Sequence, residues 1–320
     1  MKSIETKDEN LPPRHFPGLE DFLAFLAHER GFSGYTLRNY RRAVVEFLSW
    51  MRVHGKWQGD LSQIQPRQLR NYVIESQRTL SKRTLHNRVS GLRTYFKWAL
   101  REGLAESNPT TGLVLPKLEK TLPRYLTEAQ MKALLHAPTQ KLNQAGSEEL
   151  SEKERYNAWR DRLALELLYG AGLRVSEVSG LTFGQIDRKT GIIRVKGKGK
   201  KERLVPMGPV AGEVLDYCVN TFQRTSGFHD RVLTTWPGKP YSDRRIQLML
   251  KQYLAQVNLP NDLTPHKIRH SFATHMLDHG AELRALQAML GHSSLSTTQV
   301  YTHVSISRLK DAHKQAHPRS

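Results

Sequence analysis

The sequence predicts a mainly α-helical chain with one small β-sheet, built as a helical bundle followed by a larger α+β domain. Three observations predict it. Apolar residues recur at helical spacing between Ser or Pro starts and Gly stops from residue 18 to residue 103. A Pro-punctuated, basic stretch follows at 107–125. Beyond it, Ile192, Ile193 and Val195, then Leu204 and Val205, read as two strands flanking a turn rich in Gly and Lys, within a half otherwise patterned as helix. At 320 residues there is chain enough for two cores.

Residues 1–16 are polar and Pro-containing and read as a disordered N-terminus, before a first domain at 17–106. Short helices fit 18–30 and 66–79, the latter opening at Pro66. A long helix starts at Ser33 and stops at Gly55, with Leu37, Tyr40, Val44, Phe47, Leu48 and Met51 on its apolar face and Arg38, Arg41, Arg42 and Arg52 largely opposite. A second runs from Ser81 to Gly103 on Leu85, Val89, Leu92 and Phe96, flanked by Lys82, Arg83, Arg88, Arg93 and Lys97. Pro109, Pro116 and Pro123 make 107–125 a linker of limited flexibility, because Pro removes backbone donors and biases its predecessor to extended conformations. The second domain then spans 126–320.

Net charge narrows the function. The chain carries 49 Lys+Arg against 30 Asp+Glu, a formal charge of +19, divided as +8 up to Pro123 and +11 after it. Two separately basic domains suit a protein that closes around a polyanion, since each cation facing a phosphate releases condensed counterions. Cys218, the sole cysteine, excludes an intramolecular disulfide and a Cys-rich zinc site, and its apolar-periodic surroundings read as core. No apolar run approaches a membrane span and residues 1–13 hold no signal-peptide core, so the expectation is a cytoplasmic protein with no membrane partner.

Chemistry gathers in four segments of the second domain. In RDRLALELLYGAGLRVSEVSGL a buried helix, a Gly-rich turn and a short helix place Arg174 just after the turn, with Glu177 on the same face. Lys196, Lys198, Lys200 and Lys201 crowd the hairpin tip; such a run is either a solvated surface or a mobile lysine within reach of a phosphodiester. Thr264, Pro265 and His266 read as N-cap, N1 and N2 of a helix whose free N–H groups favour an anion, with Arg269 on the face of His266 and Ile268 and Phe272 in the core. After the helix ELRALQAML, closed by Gly291, comes His292; a capping box at Ser296–Gln299 then opens a short helix carrying Tyr301.

These segments, in this order, resemble the tyrosine recombinase (phage integrase) family, and within it the Xer-type members that resolve chromosome dimers. The resemblance covers roughly 18–318 and includes Thr36, Asn39 and Tyr40 of a core-binding, DNA-clamping domain. It implies a catalytic set of Arg174, Lys198, His266, Arg269, His292 and Tyr301. Tyr301 is then the nucleophile, Lys198 the general acid for the leaving 5′ oxygen (with Lys196 and Lys200 as flanking alternatives), and Arg174 and Arg269 bind the scissile phosphate. His303 is left to a structural role. The chemistry needs neither ATP nor metal, because the phosphotyrosyl ester conserves the energy of the broken one, and no cofactor is expected. Implied partners are double-stranded DNA, a second copy or a paralogue in a cyclic tetramer on two DNA sites, and a DNA translocase as activator.

The rivals fit less well. The i,i+4 pairs His266/His270 and His275/His279 point in roughly opposite directions on one helix, no HExxH occurs, and carboxylates are sparse around the motifs, against a metal-dependent nuclease. A DNA-binding protein without catalysis leaves the full set unexplained; a type IB topoisomerase lacks reason for the separate helical domain. A phage- or integron-type integrase is the nearest alternative. Two further expectations follow. Residues 139–157, longer and more acidic than the family norm, form a surface excursion, and the final segment from Ser305 forms an amphipathic helix that docks on a neighbouring subunit.

Overall fold

Two long helices, α2 (Gly34–His54) and α4 (Lys82–Arg101), dominate the first of two compact units, Met1–Thr121 and Leu122–Ser320. The computed structural model describes residues 16–55, 57–118, 125–143, 150–196, 202–222, 227–291 and 306–319. The hydroxyls of Ser33 and Ser81 cap α2 and α4, accepting from the backbone N–H groups of Thr36 and Thr84 at 3.3 and 3.2 Å. The two helices cross closely at Gly91, where a Cβ would stand 3.0 Å from that of Ala43. Shorter helices α1 (Leu19–His28) and α3 (Pro66–Ser76) complete the bundle around Phe22, Phe47, Leu48, Leu85, Leu92 and Phe96.

Three expectations for this half need correction. Phe16 belongs to the core, stacked by the Arg52 guanidinium at 4.9 Å, because a large aromatic gains more from burial than from the disorder assigned to 1–16. Arg88 is buried and ion-paired with Glu46, so it holds the unit together instead of lining its outside, whereas Arg93 stays on the surface as expected while donating to Leu113 O at 2.7 Å. The expected linker also begins packed: Leu113 is buried in the bundle core and Pro116 O bonds the His86 ring at 2.8 Å.

The second unit is built around α6 (Glu152–Gly170), which buries Leu163 through Gly170 without a break. A helix buried on all sides must be enclosed on all sides, its charged Glu166 paired there with Arg162 and Arg319. α5 (Glu128–His136), α8 (Pro209–Phe222), α9 (Asp243–Gln256) and α10 (Pro265–Asp278) enclose it. A three-stranded antiparallel sheet, β1 (Ile186–Asp187), β2 (Ile192–Lys196) and β3 (Glu202–Pro206), lies alongside, with Ile193 opposite Val205 and Lys196 opposite Glu202. The short helices α7 (Val175–Gly180) and α11 (Leu283–Leu290) flank the strand pair, and α12 (Ile306–Ala316) ends the chain.

The excursion expected at 139–157 is shorter than that. Thr139 is buried, α6 already starts at Glu152 on a Ser151 capping box, and Tyr156 is buried with its hydroxyl 3.0 Å from Thr234 O. Its remaining residues 144–149 lie outside the described ones. The C-terminal helix differs too. In this chain α12 packs on its own unit, burying Leu309, His313 and Ala316, with the His313 ring 2.7 Å from Gly170 O and Arg319 donating to Glu166 at 2.5 Å. Its apolar stripe finds cover in the chain itself. Among the described residues, no helix is long and apolar enough to cross a membrane and no group of His, Cys, Asp and Glu forms a metal site.

Candidate active site

Arg174 owes its position to the turn before it. Gly172 adopts φ 56°, and a Cβ there would lie 2.6 Å from the Phe272 ring, so the turn needs glycine on both counts. Arg174 is the N-cap residue of α7, in extended conformation. Its backbone N–H donates to Glu177 Oε2 at 2.8 Å and its Nη1 to Glu177 Oε1 at 2.9 Å.

Arg269 lies one turn into α10 and is buried, its guanidinium donating to Gly172 O and Leu290 O. The second acceptor is an end carbonyl of α11, where a helix offers unpaired oxygens and negative partial charge. Arg174 Nη2 reaches the same end, 3.4 Å from Leu290 O and from Gly291 O. The two arginines expected to bind the phosphate are thus brought together at the end of α11, one exposed and one buried.

Glu177 is the anion between them. It accepts a two-pronged interaction from Arg203 on β3, both contacts at 2.7 Å, and stands 3.9 Å from Arg269 Nη1. Burial alone would raise its carboxyl, but the hydrogen bonds from Arg203 and from Arg174 hold it at about 2. Arg269 is lowered to about 10, first by burial and then by the cations Arg174 and Arg203, and stays protonated at neutral pH. Three guanidiniums against one carboxylate leave a fixed positive charge.

His266 occupies the first turn of α10 and is exposed. Lys198, His292 and Tyr301, with the capping box at Ser296–Gln299 and His303, lie outside the described residues. The residues on either side are described: β2 ends at Lys196 and β3 starts at Glu202, and Gly291, at φ 62°, closes α11 one residue before His292. Arg203 escaped the sequence reading. Strand alternation could have found it, because Arg203 pairs with Val195 and shares the inward face of Val205, an odd place for a cation.

A convergent arginine pair in a basic α+β unit that follows a helical bundle in the chain fits a DNA strand-transfer enzyme of the integrase class. The chain belongs to the phage integrase family, whose profile matches residues 124–308, while the family's N-terminal SAM-like domain matches 19–103. Within it the chain is a tyrosine recombinase of the Xer type, an enzyme that breaks and rejoins DNA at specific sites. It is 36% identical over 307 residues to a tyrosine recombinase XerD of Halalkalibacterium halodurans, covering 94% of this chain and 98% of that one. A Staphylococcus aureus XerD is 37% identical, with 94% and 99% covered. Solved structures share the fold: the Tn1549 transposon integrase in complex with circular intermediate DNA (TM-score 0.65, 20% identity, 92% and 98% covered) and the XerH recombinase bound to its difH substrate (0.64, 21%, 92% and 83%).

Proposed function

We propose that this recombinase resolves chromosome dimers at cell division, in the cytoplasm, by exchanging strands between two double-stranded DNA sites held by a cyclic tetramer of itself or of itself and a paralogue. The Tyr301 oxygen attacks the scissile phosphorus, forming a 3′-phosphotyrosyl ester as the bond to the 5′ oxygen breaks, and Lys198 gives that oxygen the proton with which it leaves as a 5′ hydroxyl. Attack by the 5′ hydroxyl of the other duplex reverses the step on a new strand. Neither metal nor ATP enters, since the ester exchange is close to isoenergetic.

The observation that carries this reading is the convergence of Arg174 and Arg269 at the end of α11. Each guanidinium has five N–H donors in a planar fork suited to two phosphate oxygens. Held in place beforehand, they meet the charge that builds on the equatorial oxygens at no reorganisation cost. His266, on the first turn of α10, and His292, directly after Gly291, are assigned as further donors to the same group.

The test is a nicked duplex carrying a Xer-type recombination site, without Mg²⁺, in which the cleaved strand loses its rejoining end. A covalent protein–DNA band is expected with the native chain, alone or with its paralogue, and none with Tyr301→Phe. A band that persists in Tyr301→Phe would assign the nucleophile elsewhere.

A further inference from the structure

We infer that Arg203 is a positioning residue for cleavage: by occupying Glu177 it keeps Arg174 and Arg269 available to the scissile phosphate. The inference rests on the reading of those two arginines as the phosphate-binding pair. Arg203 itself faces inward and has little exposure, its side chain 10% accessible against 42% for Arg174. It is placed to hold the cluster from its less accessible side, opposite the exposed edge of Arg174.

Its contacts join three elements. From β3, Nη1 and Nη2 each reach a Glu177 oxygen on α7 at 2.7 Å, and Nε donates to Met289 O at the end of α11, also at 2.7 Å. The fit at α11 is close, since a Cβ on Gly291 would come within 2.9 Å of Arg203 Cδ. One planar guanidinium therefore fixes the spacing between the strand pair, the helix that follows Arg174 and the end on which both phosphate arginines rest.

The electrostatic consequence is specific. Glu177 Oε2 now accepts from Arg203 and from the Arg174 backbone, with Arg269 Nη1 only 3.9 Å away. Without Arg203 that oxygen loses its strongest partner, and a shift of about 1 Å brings it into hydrogen-bond range of Arg269. The carboxylate would then compete with the phosphate for the same donors. A lysine cannot replace the arginine, because a single ammonium cannot satisfy two carboxylate oxygens and a carbonyl in one plane.

The experiment uses the full chain, with the nicked Xer-site duplex and any paralogue on which the native chain forms its covalent complex. Arg203→Met keeps the aliphatic stem and removes the fork. It should slow covalent complex formation on the order of 10²-fold, the scale of losing one transition-state donor, while DNA Kd changes little. Adding Glu177→Gln removes the competing charge and should restore at least about 10-fold, a non-additivity expected of residues acting as one unit. On a duplex whose scissile phosphate is an uncharged methylphosphonate, the slowing by Arg203→Met relative to the native chain should shrink, because charge neutralisation is no longer required there. Arg203→Lys should be slowed as Arg203→Met is. An Arg203→Met chain with native rate, or one equally slow on both substrates and unrelieved by Glu177→Gln, overturns the inference. The Tyr301→Phe comparison fails independently, so an error in the nucleophile is told apart from an error here.

Discussion

Glu177→Gln should cost stability at neutral pH and progressively less as pH falls. The carboxyl sits at about 2 in the folded chain against an ordinary 4.5. A folded-state value below the unfolded one adds stability that is complete above the unfolded value and lost as pH drops through the folded one. The full difference corresponds to about 3 kcal/mol at pH 7, and solvent around the exposed side of Arg174 reduces this to about 2 kcal/mol. Linkage leaves less than half of it at about pH 3. Calorimetry of both chains at pH 7, 5, 4 and 3 measures it, using the transition that Glu177→Gln shifts. The gap between the two chains should narrow across that window to less than half. A gap equally wide at pH 3 and pH 7 would show that Glu177 contributes through packing or shape, and the ionic account of the cluster would fall.

Other predictions concern the same unit. Arg269→Ala should lower the rate of covalent complex formation on the order of 10²–10³-fold with DNA binding largely kept in a mobility-shift titration. Gly172→Ala should cost more than about 2 kcal/mol in thermal or denaturant unfolding, since strain at a positive φ adds to overlap with Phe272. The Cys218 thiol is buried and pushed up by burial to about 12, so iodoacetamide should label it only once the chain is unfolded. Leu309→Ala on α12 should destabilise the catalytic unit by about 2–5 kcal/mol, as truncation of a buried leucine does.

Much of this arrangement is written locally in the chain. Ser33, Ser81 and Pro66 start their helices as expected because a cap or a Pro acts within one turn. Glu177 was foreseen beside Arg174 for the same reason, being three residues away on one helix. What escaped depends on distant partners. Arg88 looked like one basic residue among several, and its burial is decided by Glu46 on another helix. Arg203 sits near five lysines, Lys189 to Lys201, whose charge disguises the one cation that points inward. α9 was missed although its signal is local: Ser242 as cap, then Ile246, Met249, Leu250 and Leu254 at helical spacing. The docking of α12 on its own unit could not be read from spacing, because an amphipathic stripe states only that some apolar surface must cover it.

A carboxylate inside the proposed phosphate-binding site needs a reason, since it would weaken the field a phosphate feels there. The reason lies in what the arginines would do alone. Unit charges about 5 Å apart repel by about 3 kcal/mol at an effective dielectric near 20, and burial adds a desolvation cost that already draws Arg269 down to about 10. With Arg203 present and Glu177 absent, the three cations would part, or Arg269 would turn towards water, and the donors would have to be gathered again at each turnover. With Glu177 in place the three guanidiniums are held in a known geometry and a net positive charge survives. The asymmetry then matters: Arg203 takes both carboxylate oxygens from the protected side, while Arg174 uses one Nη and keeps an exposed edge. The cluster thus gives up part of its attraction for DNA in exchange for fixed donors, and catalysis depends on how those donors fit the transition state more than on how strongly the ground state is held.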